Sequence, residues 1–415
     1  MSQGAVSAIE ASEHILASVG CMTVERVPLS SALGAVLAEP VVARASIPPW
    51  RASSMDGYAV RASDITSIPC TLRVIGEVAA GREAPAAINS GEAVRIMTGA
   101  SVPAGADTVI RIEDTDAGSD FVEIRNPRDA RRNVRPLGED FLAGDVILDT
   151  GDYLGPAAIG VLASSGVATV ATYRQPTVSI VSSGDELVRV EGFDAVMSGH
   201  RIVSSNSYSL PAMVREAGGR PRDGGITRDD PLALRNAIEG AMACDLLITS
   251  GGVSVGDHDF TRTVMKQMGV DIKFWRARIR PGGPIVFGII DGRPWIGLPG
   301  NPVSAMVTFE LFVRPAILKM LGEKLIFPAT RLVTLDEHIS LTGDLTHYLR
   351  VVLTQRDGVD HARLTGTQSS GALTSMLRAN ALLIVPEGRR ECQPGEQLLA
   401  MPLRSSVFRS ATFPA

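Results

Sequence analysis

The sequence predicts a multidomain protein of α/β plus β type, and three observations carry that prediction. Between Gln175 and Leu321 apolar strand-like runs alternate with helical patterns, which marks a doubly wound, mainly parallel sheet. From Ile47 to about Asp140, and again after Phe327, short β-type runs are separated by Gly and Pro turns. At 415 residues the chain is too long for one hydrophobic core and should split into about two to four domains.

Taken in order, Val6 to Val19 has helical periodicity, and Pro28 to Leu37 is expected as a second short helix with Ser30 and Ser31 near its start. Cys70–Ile75 and Ala93–Met97 read as strands of the β-rich stretch, and Tyr153 to Ser165 returns to a helical pattern. In the α/β region Thr177–Val181 is a strand ending in Ser182-Ser183-Gly184-Asp185-Glu186. A helix over Ser207–Ala217 follows, with Ser205 or Asn206 as its cap. The loop Gly225 to Asp230 leads into a helix over Pro231–Met242, where proline at the first helical position costs no hydrogen bond. Next come the strand Leu246–Thr249, a glycine loop and a helix over Phe260–Met268. Pro294–Leu298 is the last strand of the region, and Asn301-Pro302 opens an apolar helix over Val303–Leu321. The segment from about Arg404 need not be ordered.

Bulk properties exclude several function classes. The net charge of −5 gives no general attraction to nucleic acid, so anionic ligands must be met by local basic residues. The most apolar region, Gly155 to Ala171, is broken by Ser164, Ser165 and Gly166 and falls short of the roughly 20 apolar residues of a spanning helix. The N-terminus does not resemble a signal peptide. Cys21, Cys70, Cys244 and Cys392 show no paired spacing, and the six histidines form no ligand cluster. A reducing, cytoplasmic setting with neither nucleic-acid nor membrane partner is expected.

The predicted parallel strands should deliver four polar loops to one sheet edge, where open α/β sheets bind their ligands. Gly251 to Asp259 is the richest of them. Ser250, Gly251, Gly252 and Ser254 offer donors to a phosphate, and Asp257 and Asp259 offer hard oxygens to Mg²⁺. Glu186, beside Asp185, suits either a metal or a turn; Asp229 and Asp230 suit either a metal or a helix cap. Pro299-Gly300-Asn301-Pro302 presents the orphan N–H groups of a helix start to an anion, or is ordinary capping. Arg276, Arg278 and Arg280 alternate along the strand-like run Phe274–Arg280, so period two places them on one face. That face is either an oxyanion-binding surface or a solvated edge. The segments Ser54–Val60 and Arg131–Asp140 carry aspartates and arginines as well, but spacing alone places neither near the loops. The residues by themselves point to Mg²⁺-assisted chemistry, or binding, on an anionic small molecule.

Ser54–Val60 (SMDGYAV), Arg95–Asp107 (RIMTGASVPAGAD), Gly138-Glu139-Asp140, Ser182–Leu187 (SSGDEL), Ser250–Asp259 (SGGVSVGDHD), Gly297–Met306 (GLPGNPVSAM) and Ser369–Pro386 with its Arg378-Ala379-Asn380 occur in this order. Together they resemble the molybdopterin molybdenumtransferase family, which includes MoeA and the E domain of gephyrin. The resemblance implies an α/β domain of molybdopterin-binding type over 5–26 and 173–326, and a linking domain over 27–44 and 141–172. It further implies a β-rich domain over 45–140 and a C-terminal β-barrel over 327–408. It implies a homodimer whose cleft joins the α/β domain of one subunit to the β-rich domain of the other. An adenylylating molybdopterin-synthesis partner and recipient apo-molybdoenzymes belong to the same expectation.

The implied reaction inserts molybdenum from molybdate into adenylylated molybdopterin, with Mg²⁺ assisting and AMP leaving. Carried over by position, Asp56, Asp140, Glu186 and Asp259 would be catalytic. Thr98, Arg135, Ser250, Gly251, Gly252, Ser254, Arg276, Arg280, Pro299, Asn301, Pro302 and Ser370 would bind substrate. Glu186, Asp229, Asp230, Asp257 and Asp259 would serve the metal, whose charge offsets the repulsion between molybdate and phosphate. One departure stands out. The family's Pro-Gly-Lys-Pro reads Pro281-Gly282-Gly283-Pro284 here, preceded by arginines rather than lysines. Thr346–Arg350 is also atypical. The rival reading is a non-catalytic paralogue that binds or delivers the pterin cofactor.

Overall fold

The computed structural model describes residues 5–82, 87–252 and 260–403. They form two compact units, one of residues 1–25 with 173–415 and one of 26–172. The chain thus leaves the first unit after Glu25 and re-enters it at Tyr173.

The first unit opens with the helix Ala8–Ala17, whose start is closed reciprocally. Ser7 Oγ accepts from Glu10 N at 3.2 Å while Glu10 Oε2 accepts from Ser7 N at 2.7 Å. The α/β sheet has six strands in the order Arg220–Thr227, Thr177–Ser183, Leu246–Ser250, Arg293–Leu298, Val286–Ile290, Asp271–Phe274. The first four run parallel; Val286–Ile290 is antiparallel to both its neighbours. Strand Leu246–Ser250 is buried along its whole length, which is why it reads as a continuous apolar run. Leu234, Ile238 and Ala241 of helix Pro231–Ala241 pack with Val264 and Met265 of helix Phe260–Gln267 over Val181, Leu247 and Trp295. Trp295 is fully buried and settles its N–H on Thr249 Oγ1 at 3.1 Å.

Sequence and structure part company at several elements. Strands Arg220–Thr227 and Val286–Ile290 lie outside the expected elements: Arg222, Asp223, Gly224 and Gly225 interrupt the first, whereas the second carried a readable signal, Pro281-Gly282-Gly283-Pro284 before it and the hairpin turn Asp291-Gly292 after it. The expected apolar helix over Val303–Leu321 is three segments, with a π-helical turn at Phe309–Val313 between Pro302–Thr308 and Arg314–Met320. Pro315 has no N–H to continue the regular ladder, and the wider turn absorbs this. Phe274–Arg280 is not one strand: the sheet strand stops at Phe274, and Ile279–Arg280 pairs in parallel with Thr346–His347 instead. The alternation survives nonetheless, with Ala277 and Ile279 buried between exposed Arg276, half-buried Arg278 and exposed Arg280.

That detour carries the chain to the C-terminal barrel. Strands Thr346–Arg356, Val359–Leu364, Arg331–Leu335, Gln397–Pro402 and Ala381–Val385 pair in that order, and the last returns to the first to close the ring. Val333, Leu349, Val351, Leu353, Leu383 and Leu398 fill it.

In the second unit a five-stranded sheet runs Thr108–Arg111, Gly57–Val60, Glu92–Ile96, Cys70–Val78, Phe121–Ile124. Its faces carry separate cores, around Val94 and Ile96 and around Tyr58 and Ile110. A third cluster joins Leu37, Leu154, Leu162 and Val170. The helix expected over Pro28–Leu37 is only a 3₁₀ turn at Leu29–Ser31. Beyond it Gly34 adopts φ +82°, and Gly34 and Leu37 donate outward to Leu154 O and Asp152 O. Tertiary hydrogen bonds there outcompete a marginal helix.

Candidate functional site

Strand Thr177–Ser183 is followed in sequence by its neighbour on one side, Arg220–Thr227, and then by its neighbour on the other, Leu246–Ser250. Loops that diverge to opposite sides leave a crevice at such a switch. A cavity of about 360 Å³ occupies it, lined by Ser182, Ser183, Gly184, Glu186, Asp229, Ser250, Gly251, Gly252, Pro299, Gly300, Asn301 and Pro302 among others. All four loops singled out in the sequence therefore meet.

Asn206, 5% exposed, ties two of them together: its Nδ2 donates to Ser250 Oγ and to Gly300 O, both at 2.8 Å. Its Oδ1 is buried without a partner among the described residues. Gly251 holds φ +91°, and a Cβ there would lie 2.3 Å from Ser183 O, so only glycine fits. Ser183 Oγ donates to Asp229 Oδ1 at 2.6 Å. Asp230 behaves differently from its neighbour, its carboxylate capping helix Pro231–Ala241 through Ala233 N at 2.8 Å. Of the pair, Asp229 is the one on the cavity wall. Neither Ser205 nor Asn301, though each sits at a helix N-cap, makes a side-chain cap bond. Asn301 Nδ2 donates instead to Ser370 Oγ at 3.0 Å.

Mg²⁺ requires hard oxygens and keeps several waters, so one or two carboxylates suffice. Glu186 and Asp229 both line the cavity, Asp229 beside the Ser183 hydroxyl. Glu186 Oε2 lies 2.7 Å from where a Cβ on Gly184 would stand, a space that glycine keeps free. Among the described residues no group of three or more metal-ligating side chains occurs. Ser254, Asp257 and Asp259 lie outside the described residues.

A second cavity of about 970 Å³ lies between the α/β sheet and the barrel. Arg276, Arg278, Arg280, His347, Arg350, Thr342, Gln368, Ser369 and Ser370 line it, and among the described residues no carboxylate does. Arg278 pairs with Glu387 at 3.0 Å, and Arg280 donates to Thr342 Oγ1 at 2.9 Å. Arg350, 1% exposed, donates to Ser375 Oγ and Ser369 O, both at 3.2 Å, with no acid against it among the described residues. Burial pushes its guanidinium down to about 10. An enclosed cation without a counter-ion is costly to keep, and such costs concentrate where a ligand supplies the missing charge. Sequence reasoning found Arg276, Arg280 and Ser370 but missed Arg350, His347 and Asn206. A charged residue inside the apolar run Tyr348-Leu349-Arg350-Val351 was the available signal.

In the second unit Asp56 and Thr98 come together. Asp56 Oδ1 accepts from Thr98 N at 2.6 Å and from Thr98 Oγ1 at 2.8 Å, which holds the carboxyl below its ordinary range. Gly57 follows because a Cβ there would lie 1.9 Å from Ile110 O. Arg135 sits on a short strand paired with Ala52–Ser53 and is ion-paired to Glu139. Asp140 is exposed, its N–H bonded to Ile47 O at 2.9 Å.

Comparison with known proteins decides the family. The profile of the MoeA N-terminal region (domain I and II) matches residues 6–166. That of a probable molybdopterin binding domain matches 179–319, and that of the MoeA C-terminal region (domain IV) matches 333–403. A protein named molybdopterin molybdenumtransferase from Nostoc sp. is 36% identical over 91% of this chain and 88% of its own length. The chain belongs to the MoeA family. One from Haemophilus influenzae is 35% identical over 91% of this chain and 93% of its own. Among solved structures, a molybdopterin biosynthesis MoeA protein from Pyrococcus horikoshii OT3 superposes with a TM-score of 0.82 at 29% identity, covering 96% of this chain and 100% of that one. The likeness spans both units, so the α/β sheet belongs to a MoeA-type chain rather than to an isolated α/β domain.

Proposed function

We propose that this chain is a molybdopterin molybdenumtransferase, inserting molybdenum from molybdate into adenylylated molybdopterin with Mg²⁺ assisting and AMP released. One observation carries the reading: a cavity walled by glycine and serine loops with two carboxylates adjoins a cavity lined by four arginines and, among the described residues, by no carboxylate, and Pro284 and Asn301 line both. The first suits a phosphate-bearing pterin, because Gly251 and Gly252 carry no side chains and let phosphate oxygens approach the loop backbone closely. The second suits a small dianion, because Arg350 meets it already desolvated and fixed by Ser375 and Ser369.

The residues then have distinct tasks. Ser250, Gly251, Gly252 and Pro299 to Pro302 position the pterin nucleotide, and Asn206 locks two of these loops to each other. Arg276, Arg280, Arg350 and Ser370 hold the oxyanion. Glu186 and Asp229 would hold Mg²⁺, together with Asp257 and Asp259, which lie outside the described residues. When bound, the metal neutralises phosphate charge and so lowers the cost of bringing two anions together. Asp56, Thr98, Arg135 and Asp140 complete the machinery in a homodimer to which each copy lends one part. A cytoplasmic setting fits the four free thiols; among the described residues no helix is long and apolar enough to cross a membrane.

The test mixes protein, adenylylated molybdopterin, molybdate and Mg²⁺, and follows AMP and pterin-bound molybdenum together. The expected result is stoichiometric AMP with metal-loaded cofactor, reduced at least about a hundredfold by Glu186→Gln. Mixing Asp56→Asn with Glu186→Gln subunits should restore part of the activity. Tight pterin binding without AMP release would instead establish the carrier reading that Gly283 raises.

A further inference from the structure

His347 is the one feature of the arginine-lined cavity that its task as an anion holder leaves unexplained. The imidazole is 2% exposed, borders the cavity, and has Nε2 buried with no hydrogen-bond partner among the described residues. Buried polar atoms are rarely left unsatisfied, and a ring nitrogen aligned with no acceptor is best kept as a bare lone pair. The charged groups packed about it are nearly all cationic. Arg280 stands opposite it in register on the neighbouring parallel strand, and Arg276 and Arg278 precede that strand. Arg350 lies on its own strand. Glu387, two residues beyond its antiparallel register partner Val385, is occupied by Arg278. Asp344 and Arg390 face each other at 3.6 Å and offset one another.

That setting favours the neutral ring. Burial pushes the imidazole below its ordinary value, Arg280 adds to the effect, and a hydrogen bond with the Thr342 backbone opposes it. A dianion placed among the same arginines reverses both the field and the shortage of acceptors. It cancels the repulsion from Arg280, and it supplies an oxygen for a proton on Nε2.

Resting on the reading that this cavity holds the oxyanion, we propose that oxyanion capture is coupled to uptake of one proton by His347. The balance is simple: the free site with neutral imidazole, one dianion and one proton from solvent give a complex in which Nε2–H donates to an oxyanion oxygen. No bond of the oxyanion breaks. Equivalent bookkeeping has the anion enter as its monoprotonated form and share its proton with Nε2, so the net stoichiometry is the same. Affinity should therefore fall as pH rises between the free and bound values of the imidazole, tending to about tenfold per pH unit for one linked proton.

Calorimetric titration of the full-length protein with molybdate, in two buffers of different ionisation enthalpy, counts protons directly on the unmodified chain. Repeated between about pH 6 and pH 8.5, it also gives the slope of affinity. We expect close to one proton taken up near neutral pH, and a His347→Gln protein that binds with a flat pH profile. Arg350-dependent binding with no proton uptake by the unmodified protein would overturn the coupling while leaving the cavity's role standing. An unchanged slope in His347→Gln would do the same, by moving the proton to another group. Absence of molybdate binding, or binding indifferent to Arg350→Gln, would overturn the oxyanion reading and the coupling with it.

Discussion

Asp56 gains its character from a single neighbour. Both hydrogen bonds to its Oδ1 come from Thr98, one from backbone and one from hydroxyl, and both favour the ionised form. Removing the hydroxyl in Thr98→Val leaves the backbone bond, so the carboxyl should move back toward its ordinary value without becoming neutral at pH 7. The sign is fixed: a depressed carboxyl is ionised until pH falls through its lowered value, and the substitution brings that point to higher pH. The acidic limb of the turnover profile should accordingly move upward in Thr98→Val, with little change at neutral pH. A profile identical to the parent's would show that Asp56 does not set that limb. At this scale the sequence was informative where a motif was dense and silent where one residue acts alone. SMDGYAV drew the eye to Asp56, whereas Asn206 and His347 owe their interest to burial and to missing partners, which no spacing reveals.

Elements explain how the glycine loops are shaped. Strand Leu246–Ser250 ends one residue before Gly251, whose φ of +91° turns the chain under Ser183 O. Gly251→Ala should cost about 1–3 kcal/mol through backbone strain alone, and the contact 2.3 Å from Ser183 O adds to it. We expect a lowered melting temperature together with weakened pterin binding. Gly240→Ala is the contrast: that glycine is exposed within helix Pro231–Ala241 with nothing within 4 Å, so the change should stabilise by about 0.5–1 kcal/mol and spare turnover. Equal effects of the two substitutions on binding would remove the loop from the site. The parallel strands and their helices were legible because burial on both faces writes continuous apolar runs. Strand Arg220–Thr227, exposed and half-buried along most of its length, had no such imprint, and the route of Trp275–Arg280 out to the barrel depends on a strand some seventy residues away.

On the scale of the molecule, the insertion of residues 26–172 between two parts of another unit gives each unit its own hydrophobic clusters. Cores that do not depend on one another melt separately, so scanning calorimetry should show a calorimetric enthalpy above the van't Hoff value, or two resolved transitions. One transition with equal enthalpies would mean that the units unfold as one.

Pro284 and Asn301 face both cavities of the larger unit. A guest held by the arginines and a guest held by the glycine loops would therefore lean on the same two residues. Shortening one of them, as in Asn301→Ala, should alter both affinities in calorimetric titrations, and an effect confined to one guest would make the common wall incidental.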